Sequence, residues 1–570
     1  MFSLKKNEYG LLIFTIFLTM SYVHPHHIHP YRTYYHDILT VFALFIISSY
    51  LAIFQSPRLI TPQVVIIPVF GIGAIFLQMF FDIVLIQSDL LLPSLYFLFF
   101  GLALVVGASY AYPESGAESI CCALAIAHLL AALLSVIMQV IQAIGFDASP
   151  LIMYIAPSAQ PFMRPYANVA QPNQLALLFC FGLASIWWLY QRFLIRKAFV
   201  VSLVIAMLWG LALTQSRIGW LIVPVFILIS IFRIEKGRTV SRWLIVALGI
   251  LYVGFVVSLP VLGELIGFAS GSVADHVGGR SERLVLMQQA WHMALQHPWL
   301  GVGWFGFGAE QVNIAADFGS STYAEHSHNL ILNFLAELGF PATIVIFSVL
   351  GWWFLRACIL PRATVNSRFA NLFFVAVFIH SMVEFPLWYA FVLIPVGILM
   401  GMMHQLRWPS EGVRVNPWVI VSIFMVACLA LILITFDYQR VTAGFRALRW
   451  EQSGYVIQKQ VLEKPTFTLF PQFFDYFKFS KLVAREGMSG EEIAFAERMS
   501  HRFGYVHVLS KMAEIYVLNG QPEKAKRMML TLQRLHPIVY PEYFDYWKVQ
   551  ASLDDRYAAV FKTMPPRDAP

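Results

Sequence analysis

Charge is what this sequence has little of. Only 12% of its 570 residues are Asp, Glu, Lys or Arg, against about 25% in a soluble globular chain, which excludes an ordinary water-soluble domain over most of its length. Cysteine is scarce as well. Cys121, Cys122, Cys180, Cys358 and Cys428 lie within or at the ends of apolar runs with no CxxC pair, so neither a disulfide framework nor a cysteine-based zinc site is expected. What is abundant is apolar: 59% of residues are hydrophobic and 15% aromatic, with a mean hydropathy of +0.67. The formal charge of +7 has two readings, a nucleic-acid partner or Lys and Arg retained in cytoplasmic loops. In so apolar a chain the second comes first.

About thirteen apolar stretches are long enough to cross about 30 Å of hydrocarbon. They lie near residues 10–23, 38–55, 60–82, 90–108, 118–144, 169–190, 197–214, 218–232, 243–265, 339–357, 369–385, 387–405 and 417–436. The expected fold class is therefore all-α and polytopic. Lys5 and Lys6 before the first stretch resemble the start of a signal sequence, but no small-residue cleavage site follows Tyr22, and the stretch is expected to stay as a first helix. With Lys5 and Lys6 in the cytoplasm and the stretches threaded alternately, Arg192, Arg196, Lys197, Arg233, Lys236, Arg238, Arg242, Arg356, Arg362, Arg368, Arg407 and Arg414 all fall inside, as the positive-inside rule requires. Arg32, Arg164, Arg217, Arg280 and Arg283 fall outside. Positive charge on the disfavoured side points to a ligand.

The odd number of crossings also puts the tail outside, which here means the periplasmic side of a bacterial inner membrane. Residues 1–436 are expected to form the membrane domain, with a large outer loop at about 266–338, and 437–570 a helical periplasmic domain. In the tail, 491–509 has apolar residues at three and four spacing. Residues 511–537 have the pattern of a single tetratricopeptide-like hairpin, too few for a repeat array.

The outer loops hold the chemistry. In EHSHNLILNFLAELGFP, residues 325–341, two imidazoles and an amide meet the start of a membrane helix. A neutral histidine there suits a general base acting on a hydroxyl, with Asn329 and Glu337 placed to orient it. The competing reading is that His326 and His328 cap the helix or are simply solvated. A metal pair is disfavoured, because beyond Glu325 nothing completes a ligand set. In TQSRIG, Arg217 stands at the outer end of two spans, where a guanidinium suits a lipid phosphate or snorkels to headgroups. Arg280 and Arg283, in GGRSER before the amphipathic stretch 284–296, complete a set able to hold a diphosphate, or pair with Glu282 as a solvated face. In YANVAQPNQ, Asn168, Gln171, Asn173 and Gln174 enter a helix from outside. Such amides suit sugar hydroxyls, though Asn173 after Pro172 also fits a cap. In HSMVEFPLWY, Glu384 lies in an apolar hairpin beside Tyr389. A carboxylate there marks function, or pairs with Arg217 or another arginine to hold the fold.

These motifs resemble the O-antigen ligase and polymerase superfamily, and within it the PglL-type protein O-oligosaccharyltransferases. The resemblance spans nearly the whole chain. His328 and Asn329 followed by Gly339 match the family's loop motif, although Ala342 stands where ligases often have Gly, Thr or Tyr. The protein-glycosylating branch is indicated by YANVAQPNQLA, by the His- and Pro-rich first outer loop, by EFPLWY and by the helical extension. The resemblance implies a GT-C-like fold that uses a polyprenyl-diphosphate-linked oligosaccharide in the periplasm. It implies His328 as the catalytic base, Arg217, Arg280 and Arg283 as diphosphate ligands, and Gln171, Gln174, Asn329, Glu384 and Tyr389 in donor or acceptor handling. Pilin-like proteins would be the acceptors.

A Ser or Thr hydroxyl would then attack the anomeric carbon as His328 takes its proton and the lipid diphosphate leaves. That leaving group needs charge stabilisation more than an acid. No cofactor and no metal are expected, since the arginines supply the positive charge a divalent ion supplies elsewhere, and no nucleic acid is expected as partner. Three rivals remain. The first is a ligase with lipid A core as acceptor, or a polymerase. The second is a flippase of lipid-linked sugar, which would gather its polar residues at the midplane rather than at one face. The third is a membrane scaffold that recruits partners through its tail.

Overall fold

A computed structural model describes residues 9–55, 58–112, 115–155, 163–232, 238–265, 271 and 282–568. Among them, nine helices are long and apolar enough to cross a membrane, and Tyr9–Val23 (α1), Lys197–Leu213 (α7) and Arg217–Ile231 (α8) are shorter apolar helices. The nine contain α2 (Tyr34–Tyr50), α3 (Ile66–Phe80), α4 (Leu91–Tyr110), α5 (Ser115–Ala143), α6 (Pro172–Gln191) and α9 (Arg242–Leu265). They also contain α12 (Leu330–Phe354), α14 (Ala390–Arg407) and α15 (Pro417–Gln452). With α13 (Val365–Ser381), these helices account for every apolar stretch anticipated from the sequence. Two more, α10 (Glu282–Gln296) and α11 (Phe307–Ile314), belong to the outer loop.

The connections separate onto two faces as the alternate threading requires. On one face Asn168 Nδ2 donates to Val23 O at 2.8 Å, Asn329 Nδ2 to Met382 O at 3.0 Å, and Ser88 Oγ to Gln472 Oε1 at 2.8 Å. On the opposite face Arg58–Leu59 (β1) pairs antiparallel with Val413–Arg414 (β2). There Gln191 Nε2 donates to Arg238 O at 3.1 Å and Arg407 Nε to Arg356 O at 3.1 Å.

Small residues set the tightest packing. A Cβ at Gly107 of α4 would lie 1.9 Å from Ile398 O, and one at Gly401 of α14 would lie 1.9 Å from Leu104 O. Backbones in lipid approach this closely only where the side chains vanish. A second glycine effect shapes the site. Helix α12 breaks at Gly339, whose φ of 76° is costly for residues with a Cβ, and whose Cβ would fall 2.6 Å from the Trp299 carbonyl carbon. The break lets Leu330–Leu338 pack on the face while the rest of the helix crosses.

Helix α15 does not stop at residue 436 but continues unbroken to Gln452. It leads into α16 (Pro471–Lys481), α17 (Gly490–Arg502), α18 (Val506–Leu518), α19 (Pro522–Leu535), α20 (Tyr540–Leu553) and α21 (Asp555–Phe561). The stretch anticipated at 491–509 is two helices, α17 and α18, split at Phe503–Tyr505, and α18 and α19 form the anticipated hairpin. The tail core, built on Phe473, Phe477, Met512 and Trp547, also takes in Tyr34, Val312 and Ala315 from the membrane body.

Candidate active site

One buried carboxylate gathers the outer-face motifs. Glu384, 3% exposed, lies in the turn between α13 and α14. His328 Nδ1 is 3.0 Å from its Oε2. Its Oε1 accepts from Asn173 Nδ2 at 2.8 Å and is paired with the guanidinium of Arg283 at the start of α10. Burial pushes the Glu384 carboxyl up, but the hydrogen bond and charge of His328, with the charge of Arg283, outweigh it and hold the group at about 2. The carboxylate is thus ionised and accepts from Nδ1–H, so that the neutral form of the imidazole, which is the form a base needs, has its lone pair on Nε2.

The loop that carries His328 is held from within. His328 itself has a left-handed backbone, φ 57°, stabilised on both sides. Ser327 N donates to Asn333 Oδ1 at 2.9 Å and Ser327 Oγ to Asn329 O at 3.0 Å. The cap of α12 is Asn329, whose Oδ1 accepts from Leu332 N at 3.0 Å. Its amide nitrogen, on Met382 O, ties this loop to the Glu384 turn. Glu337 was expected to help orient His328 and makes no hydrogen bond to it, reaching the loop only through Asn333. It lies one helical turn from Asn333 and accepts from Asn333 Nδ2 at 3.1 Å and from Phe307 N at 3.3 Å. His326 packs against His328, ring centroids 4.7 Å apart, and against Phe385 at 3.5 Å. Burial pushes its imidazole down to about 3, so it stays neutral.

Arginine surrounds the carboxylate from the α6 and α8 side. Ser216 caps α8 and donates through Oγ to Asn173 Oδ1 at 2.6 Å. Arg217 follows it, exposed in the first turn of α8. Arg164 donates from Nε to Thr214 O at 3.1 Å. Burial, together with the like charges of Arg283 and Arg217, pulls its guanidinium down to about 10. Three guanidiniums therefore share one neighbourhood with a single carboxylate, an excess of positive charge suited to an anion. Arg280 lies outside the described residues.

The YANVAQPNQ amides divide. Gln171, not Asn173, caps α6, accepting from Gln174 N at 2.8 Å, and this frees Asn173 for Glu384. Asn168 is fully buried and spends its amide on backbone, donating to Val23 O and Leu151 O at 2.8 Å each. Gln174 is 2% exposed with neither amide atom hydrogen-bonded. Tyr389 stacks between Phe385 and Phe391, at 5.8 and 5.2 Å. It lines a cavity of about 440 Å³ whose lining runs from the loop residues Arg32, Glu325 and His326 to Phe347, Val396 and Met400 of the membrane helices. No group of three or more His, Cys, Asp or Glu able to hold a metal occurs among the described residues.

The sequence reading named Asn173 only as an amide or cap and Arg164 only as an outer arginine. The signal that finds Arg164 is its sidedness, shared with Arg217 and Arg283. Asn173 carries no comparable mark, because the partner that reveals it lies 211 positions away.

Comparison with known proteins bears on all of these segments. Residues 202–347 match the family described as O-antigen ligase, and residues 369–552 the family described as virulence factor membrane-bound polymerase, C-terminal. The chain is 27% identical over 545 residues, 92% of its length and 92% of the relative's, to the general O-oligosaccharyltransferase of Acinetobacter baylyi. It is 30% identical over 245 residues, 42% of its length and 43% of the relative's, to the ComP-specific O-oligosaccharyltransferase of the same organism.

Proposed function

We propose that the chain, whose residues 202–347 match the O-antigen ligase family and residues 369–552 the membrane-bound polymerase family, is a glycosyltransferase of O-linked protein glycosylation, moving an oligosaccharide from a polyprenyl-diphosphate carrier to Ser or Thr of a pilin-like acceptor. The observation that carries the reading is the convergence on Glu384. A histidine whose tautomer is set by an ionised carboxylate stands beside Arg283, with Arg164 and Arg217 close by. In the reaction, Nε2 of His328 takes the hydroxyl proton as the Ser or Thr oxygen bonds to the anomeric carbon. The bond from that carbon to the phosphate oxygen breaks, and its electron pair leaves with the lipid diphosphate. One displacement inverts the anomeric configuration.

Each group has a physical task. Glu384 stabilises the imidazolium that forms, as a buried carboxylate does for a base histidine. The guanidiniums of Arg164, Arg217 and Arg283, and Arg280 if it joins them, stabilise charge that grows on the diphosphate. Gln171, Gln174, Asn329 and Tyr389 stand as donor- or acceptor-side residues around this centre. The cavity beside His326 offers apolar volume to a lipid-borne substrate. The basic residues on the opposite face support a cytoplasmic side there, and with it a site on the periplasmic side of a bacterial inner membrane. Residues 437–570 would be the periplasmic domain.

The test is expression with a lipid-linked oligosaccharide and a candidate pilin, comparing wild type with His328→Ala by mass spectrometry of the pilin. Glycan on Ser or Thr in wild type alone supports the reading. A bare pilin with altered lipopolysaccharide or glycan length would replace it with ligase or polymerase activity.

A further inference from the structure

Outside the arginine cluster, a buried guanidinium joins the tail to the loop that carries His328. Arg502, at the end of α17 and 6% exposed, makes a two-pronged contact with Asp89, Nε to Oδ2 at 2.5 Å and Nη2 to Oδ1 at 3.2 Å. Asp89 is itself 4% exposed and lies just before α4. The third nitrogen, Nη1, donates to Glu325 Oε1 at 2.6 Å. The guanidinium also stands over the rings of Phe305 and Phe503, at 5.4 and 4.9 Å. Burial opposes the charge on Arg502, but Asp89 and Glu325 outweigh it and raise the group well above its ordinary value.

Burying the Arg502–Asp89 pair is costly, and that pair alone would already close the tail onto the body. The additional bond goes to Glu325, three residues before His328. Tyr323 strengthens the same seam, its hydroxyl donating to the Arg502 carbonyl at 3.0 Å and its backbone N–H to Leu535 O at 3.3 Å. Asn333 and Asn329 hold the inner side of the loop. The outer side of Glu325 is held by the tail.

We propose that Arg502 is a positioning residue for His328, acting through Glu325, so that the tail completes the active site. The inference rests on the reading of His328 as the base. Glu325 and Phe305, the latter beneath the guanidinium, both line the cavity, so the same contact fixes part of its wall beside His326.

The full-length protein in lipid nanodiscs tests this. Glu325→Ala removes the tether while leaving Arg502 paired with Asp89, and the Glu325 side chain is 38% exposed, so the fold should persist. Arg502→Lys keeps the charge but loses the fork. With a synthetic polyprenyl-diphosphate oligosaccharide and a purified pilin as probes, both variants should lose at least about tenfold in kcat with KM for donor and pilin within about twofold, the mark of misplacement rather than lost binding. Independently of turnover, hydrogen exchange of the backbone amides of 325–329 should quicken at least about tenfold in both variants, with the amides of α18 and α19 unchanged.

Unchanged exchange at 325–329 in Glu325→Ala overturns the proposal, as does a loss confined to KM or to thermal stability. If exchange quickens while His328→Ala still transfers glycan at the wild-type rate, the positioning stands and the base assignment falls. If His328→Ala is inactive while both tether variants keep wild-type kcat, the base stands and the positioning falls.

Discussion

His328 and Asn173 occupy the two oxygens of one carboxylate. The imidazole Nδ1 lies 3.0 Å from Glu384 Oε2 and the amide of Asn173 donates to Oε1 at 2.8 Å. Three segments widely separated in sequence are thereby fixed relative to one another before any substrate arrives. Arg283 on Oε1 brings in a fourth.

The charge on Glu384 is what this arrangement depends on. Glu384→Gln should keep the shape but lose the partner that stabilises the imidazolium, lowering kcat by about 10²- to 10⁴-fold with a smaller change in KM. Steady-state transfer assays check this. The folded pKa of Glu384, about 2, lies below that of a free carboxyl. The stability it contributes is therefore fully present above about pH 4.5 and is lost as pH falls toward 2. In wild type that loss should appear as a falling melting temperature across this window, and Glu384→Gln should lack it.

Of the two neighbouring histidines, His326 has its protonation state fixed by its surroundings. Burial holds His326 neutral down to about pH 3, so it cannot produce an acidic limb near neutrality. The fall in kcat/KM on acidification should persist in His326→Phe, whereas His328→Ala should leave a low, flat profile. A limb that disappears with His326 would reassign the base.

Arg164 is the arginine that motif reading passed over. Arg164→Met should weaken the donor by about 10-fold or more, the scale of a lost charge-assisted bond, and combined with Arg217→Met should show non-additive coupling through the shared anion. Binding of a short-chain prenyl diphosphate, measured by calorimetry, reads both. Transfer should meanwhile survive a chelator, because the arginines supply the positive charge. A loss restored by added divalent metal would count against that.

Gly339 should tolerate no side chain. Gly339→Ala puts a side chain at φ 76° and ψ 177°, a region essentially reserved for glycine that costs about 1–3 kcal/mol, and adds a Cβ 2.6 Å from the Trp299 carbonyl carbon. The expected result is a lowered melting temperature together with reduced transfer, since Leu330–Leu338 would lose its angle to the membrane helix. Gly351→Ala in the same helix, where an added Cβ meets nothing within 4 Å, should be silent.

Much of this was legible in the sequence because lipid leaves few choices. Hydropathy located the crossings and basic residues sorted the loops, and both are properties of single segments. The His-Asn motif, the intramembrane-side carboxylate Glu384 and Arg283 stood out for the same reason, as polar groups where polarity is costly. What the sequence hid is pairing. Asp89 and Arg502 are 413 positions apart, and neither is unusual alone. Glu337 was misread because helical spacing ties it to Asn333, while proximity in sequence had suggested His328. Asn173 was credited with a cap that Gln171 makes, since any short polar residue before or after Pro172 satisfies the same local rule.

The uninterrupted helix α15 imposes a phase relationship. Its 36 residues extend about 54 Å at about 1.5 Å each, and hydrocarbon takes about 30 Å of that, so roughly 20 Å stands above the bilayer as a rigid shaft. A shaft transmits rotation. One residue inserted between Arg440 and Arg449 would turn everything beyond it by about 100°, carrying Arg502 around the helix axis and away from Asp89, whereas an insertion of seven residues would nearly restore its bearing at a greater height. The angular setting of the tail against the His328 loop is thus counted in helical turns, starting from the opposite side of the membrane.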